Sequence, residues 1–294
     1  MNRSASRVFE QNATMAWARR AGLATLRRTT EGSPDFLIAL LDGRVDARHE
    51  CFSGALLTTA SEDGRHARSE AGASHATFAA SMLVGRGNSA LGLCPACALL
   101  SVPVADAHLL SVGFPVCEAA SRIAAAVSRS VAYGARVIQI GLEFSRAAPG
   151  EWAPAAQAIE AAAAAGVRTV MAAGNDGTLA PGPLVRCAGV VPVVGADRRG
   201  VPHPSATLAP SIGLRGLTAP GVDIPGARLP SGSRLRSGSS FAASFVTASI
   251  ALLHAVLPRH PTDEIWAALL SPARVGSSIV PKRVDADRVF HLLS

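Results

Sequence analysis

The chain has 294 residues, of which 49% are hydrophobic and 17% are charged, and its formal net charge at pH 7 is +7. This composition can fill one large core and excludes a disordered chain. No stretch reaches the ~20 consecutive apolar residues of a membrane span, and the arginine-rich first thirty residues lack the apolar core of a secretory signal. We therefore expect a cytoplasmic protein that does not bind membranes.

The positive charge comes almost entirely from dispersed arginines, since Lys282 is the single lysine. A nucleic-acid-binding surface needs clustered basic residues, so no nucleic-acid partner is expected. Cys94 and Cys97 form a lone C-x-x-C that no second pair or histidine cluster completes. The sequence thus predicts neither a metal site nor another cofactor, and it favours buried thiols or one disulfide.

The chain begins with a predicted helical arm, residues 1–33, and residues 34–294 are predicted to form one domain. In that domain, apolar runs of strand length alternate with alanine-rich runs of helical length. The predicted strands are Phe36–Leu41, Ala98–Val104, Val137–Ile140, Val167–Ala173 and Val190–Gly195. The predicted helices are Cys117–Tyr133, Pro154–Ala165 and Phe241–Leu257. This alternation predicts a three-layer α/β fold, with a mainly parallel central sheet covered by helices on both faces.

Two polar, turn-rich segments, Ser53–Ser74 and Pro202–Gly216, are expected to be surface loops. Three other segments each place a reactive residue at a predicted junction. Asp42 closes the first strand, His75 opens a predicted helix, and Ser240 precedes the apolar helix. Ligands of open α/β sheets gather at the carboxyl ends of strands, so these side chains can meet in one crevice. A serine hydroxyl becomes nucleophilic when an imidazole, oriented by a carboxylate, takes its proton.

These segments resemble the subtilisin-like serine protease family over roughly residues 36–270. Asp42 lies in a D-x-x-[VI]-D pattern, His75 in S-H-x-T and Ser240 in G-[TS]-S-x-A. The resemblance implies a subtilisin-like fold in which the aspartate orients the histidine, the histidine acts as general base and acid, and the serine is the nucleophile. It also implies that Asn175 donates to the oxyanion together with the backbone N–H of the serine.

Residues 41–55 and 216–227 resemble, more narrowly, proteases of cyanobactin-type precursor-peptide maturation. This implies cleavage of a ribosomally made peptide at its leader or recognition sequence, with the peptide bound as an extended strand. Asp42 and His75 are 33 residues apart, which leaves no room for the helical insertion of the macrocyclising members, so hydrolysis is expected. The Gly85–Gly92 segment lacks the carboxylates of a calcium loop.

By the same resemblance, two segments flank the bound peptide. Their predicted substrate-binding residues are Val102, Val104, Ile140, Gly141 and Leu142. Two acidic residues, Glu143 and Asp176, are expected to favour a basic residue before the cut.

Some positions depart from the family pattern, and they leave alternatives open. Ala76 and Phe78 follow the histidine where Gly and a second His are usual, Gly43–Arg44 replaces Thr/Ser-Gly, and Ser244 stands where proline is common. One alternative is therefore a subtilisin-fold protein that binds a peptide with little or no cleavage. A second is a general intracellular protease without a dedicated precursor.

Overall fold

Seven parallel strands form the central sheet of this computed structural model, which describes residues 14–60, 70–104, 115–142, 149–271 and 278–294. The strands are β1 (Leu37–Asp42), β2 (Leu56–Thr59), β3 (Ala98–Pro103), β4 (Val137–Ile140), β5 (Arg168–Ala172), β6 (Val190–Ala196) and β7 (Leu217–Pro220). Their order across the sheet is β2-β3-β1-β4-β5-β6-β7, and every neighbouring pair is parallel. A separate antiparallel hairpin joins β8 (Ile224–Ala227) to β9 (Ser233–Arg236).

Helices cover both faces of the sheet. They are α1 (Ala24–Thr29), α2 (Glu70–Val84), α3 (Val116–Ala132), α4 (Ala153–Ala164), α5 (Pro210–Arg215), α6 (Ser239–Val256), α7 (Thr262–Leu270) and α8 (Ala286–Leu293). Because side chains of a strand alternate between faces, β1 sends Ile38 and Leu40 into one core and Ala39 and Leu41 into the other. The first core also holds α2 and α6, and the second holds α3 and α4.

The predicted fold class is confirmed, and each of the five predicted strands is present. The described residues of the two predicted surface loops include regular elements. Ser53–Ser74 contains the edge strand β2 and the first turn of α2, and Pro202–Gly216 contains α5. β2 has four residues that alternate between exposed and half-buried, and such a short edge strand carries little apolar signal.

The part of the N-terminal arm that the structure describes is packed against the domain. Residues 14–20 are helical, and Trp17, Leu23 and Leu26 belong to the first core. The carboxylate of Asp287 in α8 accepts hydrogen bonds from the backbone N–H groups of Thr25 (2.9 and 3.0 Å) and Leu26 (3.0 Å). These bonds cap the start of α1, so the two ends of the chain stabilise each other.

Among the described residues, α6 is the one helix long and apolar enough to cross a membrane. However, 83% of this helix is buried inside the protein. It contacts β4, β5, β6 and β7 as well as α2. It is therefore the central helix of the first core.

Candidate active site

The fold brings Asp42, His75 and Ser240 together at the carboxyl edge of the sheet. Asp42 is the last residue of β1, and Ser240 is the second residue of α6. The prediction that the histidine opens its helix is wrong, because α2 begins at Glu70 and His75 lies within it. Residues 70–74, directly before the histidine, therefore form the first turn of a helix and not the end of a loop.

The imidazole of His75 lies between the other two side chains. Its Nδ1 is 2.8 Å from Oδ2 and 3.0 Å from Oδ1 of Asp42, and its Nε2 is 3.0 Å from Oγ of Ser240. The backbone N–H of Gly43 donates a further hydrogen bond of 2.7 Å to Oδ1 of the aspartate. All three contacts of the imidazole are within hydrogen-bonding distance.

Accessibility falls from the histidine to the aspartate. The side chain of His75 is 17% exposed, Ser240 is 6% exposed and Asp42 is fully buried. A buried carboxylate holds the Nδ1–H tautomer of the imidazole, and this tautomer turns the lone pair of Nε2 toward the serine hydroxyl. The arrangement can thus remove a proton from Oγ while a ligand approaches from solvent.

Two glycines make this close approach possible. A Cβ on Gly141, which follows β4, would lie 2.2 Å from Oδ2 of Asp42 and 3.2 Å from Cε1 of His75. Gly238 precedes α6 with φ = 152°, a conformation that side chains rarely adopt. It allows the chain to turn directly into the helix that carries Ser240.

Asn175 lies at the carboxyl end of β5 and contacts the start of α6. Its Oδ1 accepts a hydrogen bond of 2.8 Å from the backbone N–H of Ser239. The hydroxyl of Ser239 in turn donates to the carbonyl of Gly174 (3.3 Å) and accepts from the N–H of Gly195 (3.1 Å). These bonds fix the carboxamide beside the N-terminal turn of α6, where the first backbone N–H groups lack intrahelical acceptors.

A pocket lies beside this carboxamide. Its lining is mainly apolar and includes Leu142, Met171 and Leu184, with Asp176 as its acidic residue. Oδ1 of Asp176 accepts hydrogen bonds from the hydroxyls of Thr178 (2.7 Å) and Thr207 (2.6 Å). The pocket therefore combines an apolar wall with one carboxylate whose position is fixed.

The other predicted substrate-binding residues have different surroundings. The side chains of Val102, Val104 and Ile140 are buried in the second core, so only their backbone atoms can face a peptide. The N–H of Val104 is already bound to the carbonyl of Asp42. Glu143 lies outside the residues that the structure describes.

Two residues near the site were not predicted. The ring of Phe241 lies 5.1 Å from that of His75 and 4.5 Å from that of Phe78, centroid to centroid. The guanidinium of Arg236 lies over both phenylalanine rings. The sequence offered one signal for this cluster, since Phe78 is an apolar residue at a position where the family usually has a polar one.

The comparisons with known proteins identify the family. The Subtilase family model matches residues 33–285, and no curated protein matches the chain. The prenylagaramide maturation protease PagA is 26% identical with a TM-score of 0.76, over 93% of this chain and 99% of PagA. The self-cleaved protease domain of PatA is 28% identical with a TM-score of 0.75, over 90% of this chain and 98% of that domain.

A macrocyclase is also similar. The PatG macrocyclase, solved in complex with a peptide, is 22% identical with a TM-score of 0.75, over 92% of this chain and 96% of that one. At this identity the likeness supports the fold alone. PagA, PatA and PatG are cyanobactin maturation proteases, so the resemblance inferred from the sequence motifs is confirmed. The chain belongs to the Subtilase family and is a subtilisin-like serine protease.

Proposed function

We propose that this protease hydrolyses a ribosomally made precursor peptide at its leader or recognition sequence, with Asp42, His75 and Ser240 as its catalytic triad. The observation that carries the proposal is the pair of contacts made by the imidazole, 2.8 Å to the carboxylate and 3.0 Å to the hydroxyl. The similarity to PagA and PatA, both of which are named as maturation proteases, supports the substrate class.

The reaction follows from the order of these three groups. Nε2 of His75 takes the proton of Oγ as Ser240 attacks the carbonyl carbon of the substrate, and the imidazolium that forms is stabilised by Asp42. The imidazolium then gives this proton to the amine that leaves as the peptide bond breaks. A water molecule, activated by the same imidazole, hydrolyses the acyl-enzyme.

The negatively charged oxygen of the tetrahedral intermediate must be stabilised by hydrogen-bond donors. The carboxamide N–H of Asn175 and the backbone N–H of Ser240 are proposed to supply them, since Asn175 is anchored to Ser239 at the start of the same helix. Donors that are fixed before the reaction stabilise developing charge without reorganising.

Hydrolysis is favoured over cyclisation by the short chain between Asp42 and His75. The described residues of this connection form a short 3₁₀ helix, Glu50–Phe52, the strand β2 and the first turn of α2. We infer that a separation of 33 residues is too short for an additional helical insertion that would shield the acyl-enzyme from water.

The pocket beside Asn175 is proposed to bind the residue before the cut. Its apolar wall suits the methylene groups of an arginine or lysine side chain, and Asp176 supplies a carboxylate for the cationic end. The negative charge of Glu143 is also proposed to favour a basic residue before the cut.

The first prediction concerns Ser240. A serine-reactive fluorophosphonate is expected to label the folded wild type, and Ser240→Ala is expected to abolish labelling and to lower peptide hydrolysis by about 10³-fold or more. Ser249→Ala is the matched control, because it removes a buried hydroxyl of the same helix that bonds the carbonyl of Phe245. Its labelling should equal that of the wild type.

The same experiment separates the alternatives. A folded wild type that is neither labelled nor active would favour the peptide-binding protein without catalysis. Labelling together with rapid digestion of casein would favour the general protease, whereas labelling with cleavage of few sites in a peptide library supports precursor maturation.

The second prediction tests the glycine beside the triad. Gly141→Ala places a methyl group against Oδ2 of Asp42, so the carboxylate or the imidazole must shift, and we expect kcat/KM to fall by roughly 10²-fold. Gly150→Ala is the matched control, since a Cβ there meets no atom within 4 Å. Equal activity of the two variants in peptide hydrolysis would contradict the proposed geometry.

The third prediction separates the two contacts of Asn175. Asn175→Leu removes both the N–H donor and the acceptor for Ser239, whereas Asn175→Asp keeps the acceptor. Both variants should lower kcat by at least about 10²–10³-fold, the loss known for an oxyanion donor in subtilisin itself. Only the leucine variant should lower the melting temperature. A normal kcat in Asn175→Asp would exclude the donor role.

The fourth prediction concerns the residue before the cut. Peptides that differ only there, with Arg or Leu, are expected to show a higher kcat/KM for Arg, because the pocket contains a fixed carboxylate. Asp176→Asn keeps acceptors for Thr178 and Thr207 and should reduce the difference. Equal turnover of both peptides by the wild type would exclude the preference.

A further inference from the structure

Arg236 is the last residue of β9 and lies four positions before Ser240. Its guanidinium carbon is 5.6 Å from the ring centroid of Phe78 and 5.9 Å from that of Phe241. Its Nη2 donates a hydrogen bond of 2.8 Å to Oγ of Ser74, the residue before the catalytic histidine. Two aromatic faces and one hydrogen bond therefore hold this cation in a fixed position.

The described part of the chain supplies no counter-ion to this guanidinium. In the part of the chain that the structure describes, no ion pair joins Arg236 to a carboxylate, and its buried Nε makes no hydrogen bond. Burial lowers the pKa of Arg236, the nearby Arg234 lowers it further, and the carboxylate of Asp42 opposes both effects. Arginine stays charged at neutral pH all the same, so among the residues that the structure describes this half-buried positive charge has no ion-pair partner.

Two described acidic residues, Asp42 and Glu50, have other hydrogen-bond partners. Asp42 is bound to His75 and to the N–H of Gly43. Glu50, which contacts the same hairpin, accepts from the hydroxyl of Ser89 and from the N–H of Gly232. An unpaired charge that has lost part of its water is unfavourable, and a ligand carboxylate would offset that cost.

The position of Arg236 indicates which part of a peptide it would meet. It contacts Ser74 and the rings of Phe78 and Phe241, all on the histidine side of the nucleophile. None of these residues lines the pocket beside Asn175. The histidine protonates the leaving amine, so the peptide segment after the scissile bond lies on the same side of the nucleophile as the histidine.

We propose that Arg236 is a specificity-determining residue that binds a substrate carboxylate in the first or second residue after the scissile bond. The inference rests on the proposed function and deepens it by defining the substrate class. The planar guanidinium can donate to both carboxylate oxygens, which favours an acidic residue over its amide. The carboxylate belongs either to an Asp or Glu side chain or to the C-terminus of a short substrate.

The test uses internally quenched peptides built on a sequence that the wild type cleaves. Members of each pair differ by Glu or Gln, or by Asp or Asn, at the first or second position after the cut, and one further pair ends there with a free or an amidated carboxyl group. We expect the wild type to have at least a tenfold higher kcat/KM for the acidic member at one position. The side-chain and terminal pairs show which carboxylate is bound.

Two variants and a control test whether Arg236 causes the preference for the acidic peptide. Arg236→Gln keeps a donor for Ser74 and Arg236→Met keeps an apolar stem over the rings, and each should bring the ratio of acid to amide close to one. Arg234→Gln is the matched control, because it removes an equal charge from an exposed residue of the same strand. Its ratio should remain that of the wild type.

The outcomes distinguish this inference from the proposed function. If the wild type cleaves no peptide and reacts with no fluorophosphonate, the proposed function fails. If it cleaves acid and amide equally, or if the preference survives in folded Arg236→Gln or Arg236→Met, the role of Arg236 is overturned while the protease assignment stands. Loss of the preference in Arg234→Gln as well would show a general effect of charge and would also overturn it.

Discussion

The buried carboxylate of Asp42 is the constraint on which the site depends. A charge without exposure to water at the end of a central strand is unfavourable unless donors surround it. Here the donors are the N–H of Gly43 and the Nδ1–H of His75, at 2.7 and 2.8 Å. Because the imidazole must satisfy the aspartate, its second nitrogen is left facing Ser240, and Gly141 leaves the space that this arrangement needs.

The position of the nucleophile depends on the burial of α6. Its residues Ser239 to Leu253 are buried, so the helix cannot shift without disrupting the first core. At its start, Ser239 bonds to β6 through the N–H of Gly195 and to the end of β5 through Gly174 and Asn175. The packing of an apolar helix thus determines where a hydroxyl and a carboxamide lie, which links the core to the chemistry.

Apolar periodicity predicted five of the seven strands of the central sheet and the helices α3, α4 and α6. Asp42, His75 and Ser240 were selected because each is a reactive residue at a predicted junction, whereas Asn175 was identified from the resemblance to the family. Contacts between distant segments leave no such pattern. Arg236 and Ser74 are 162 residues apart, and in an arginine-rich chain one more arginine carries no signal. Both edge strands, β2 and β7, were missed, because each has only four residues and such a short run carries little apolar signal. The side chains of Val102 and Val104 are buried because β3 is covered on both faces.

The departures from the family pattern form a consistent packing arrangement. Phe78, an apolar residue where a polar one is usual, packs on Phe241 and under Arg236, and a Cβ on Gly226 would lie 2.8 Å from its ring. Ser244, which replaces the usual proline, accepts a buried hydrogen bond of 3.0 Å from Gln139 of β4. Both residues have packing or hydrogen-bond partners beside the site, although Oε1 of Gln139 and Nε of Arg236 remain buried without a hydrogen-bond partner. The two departures are thus accommodated without displacing the imidazole of His75 from Asp42 or from Ser240.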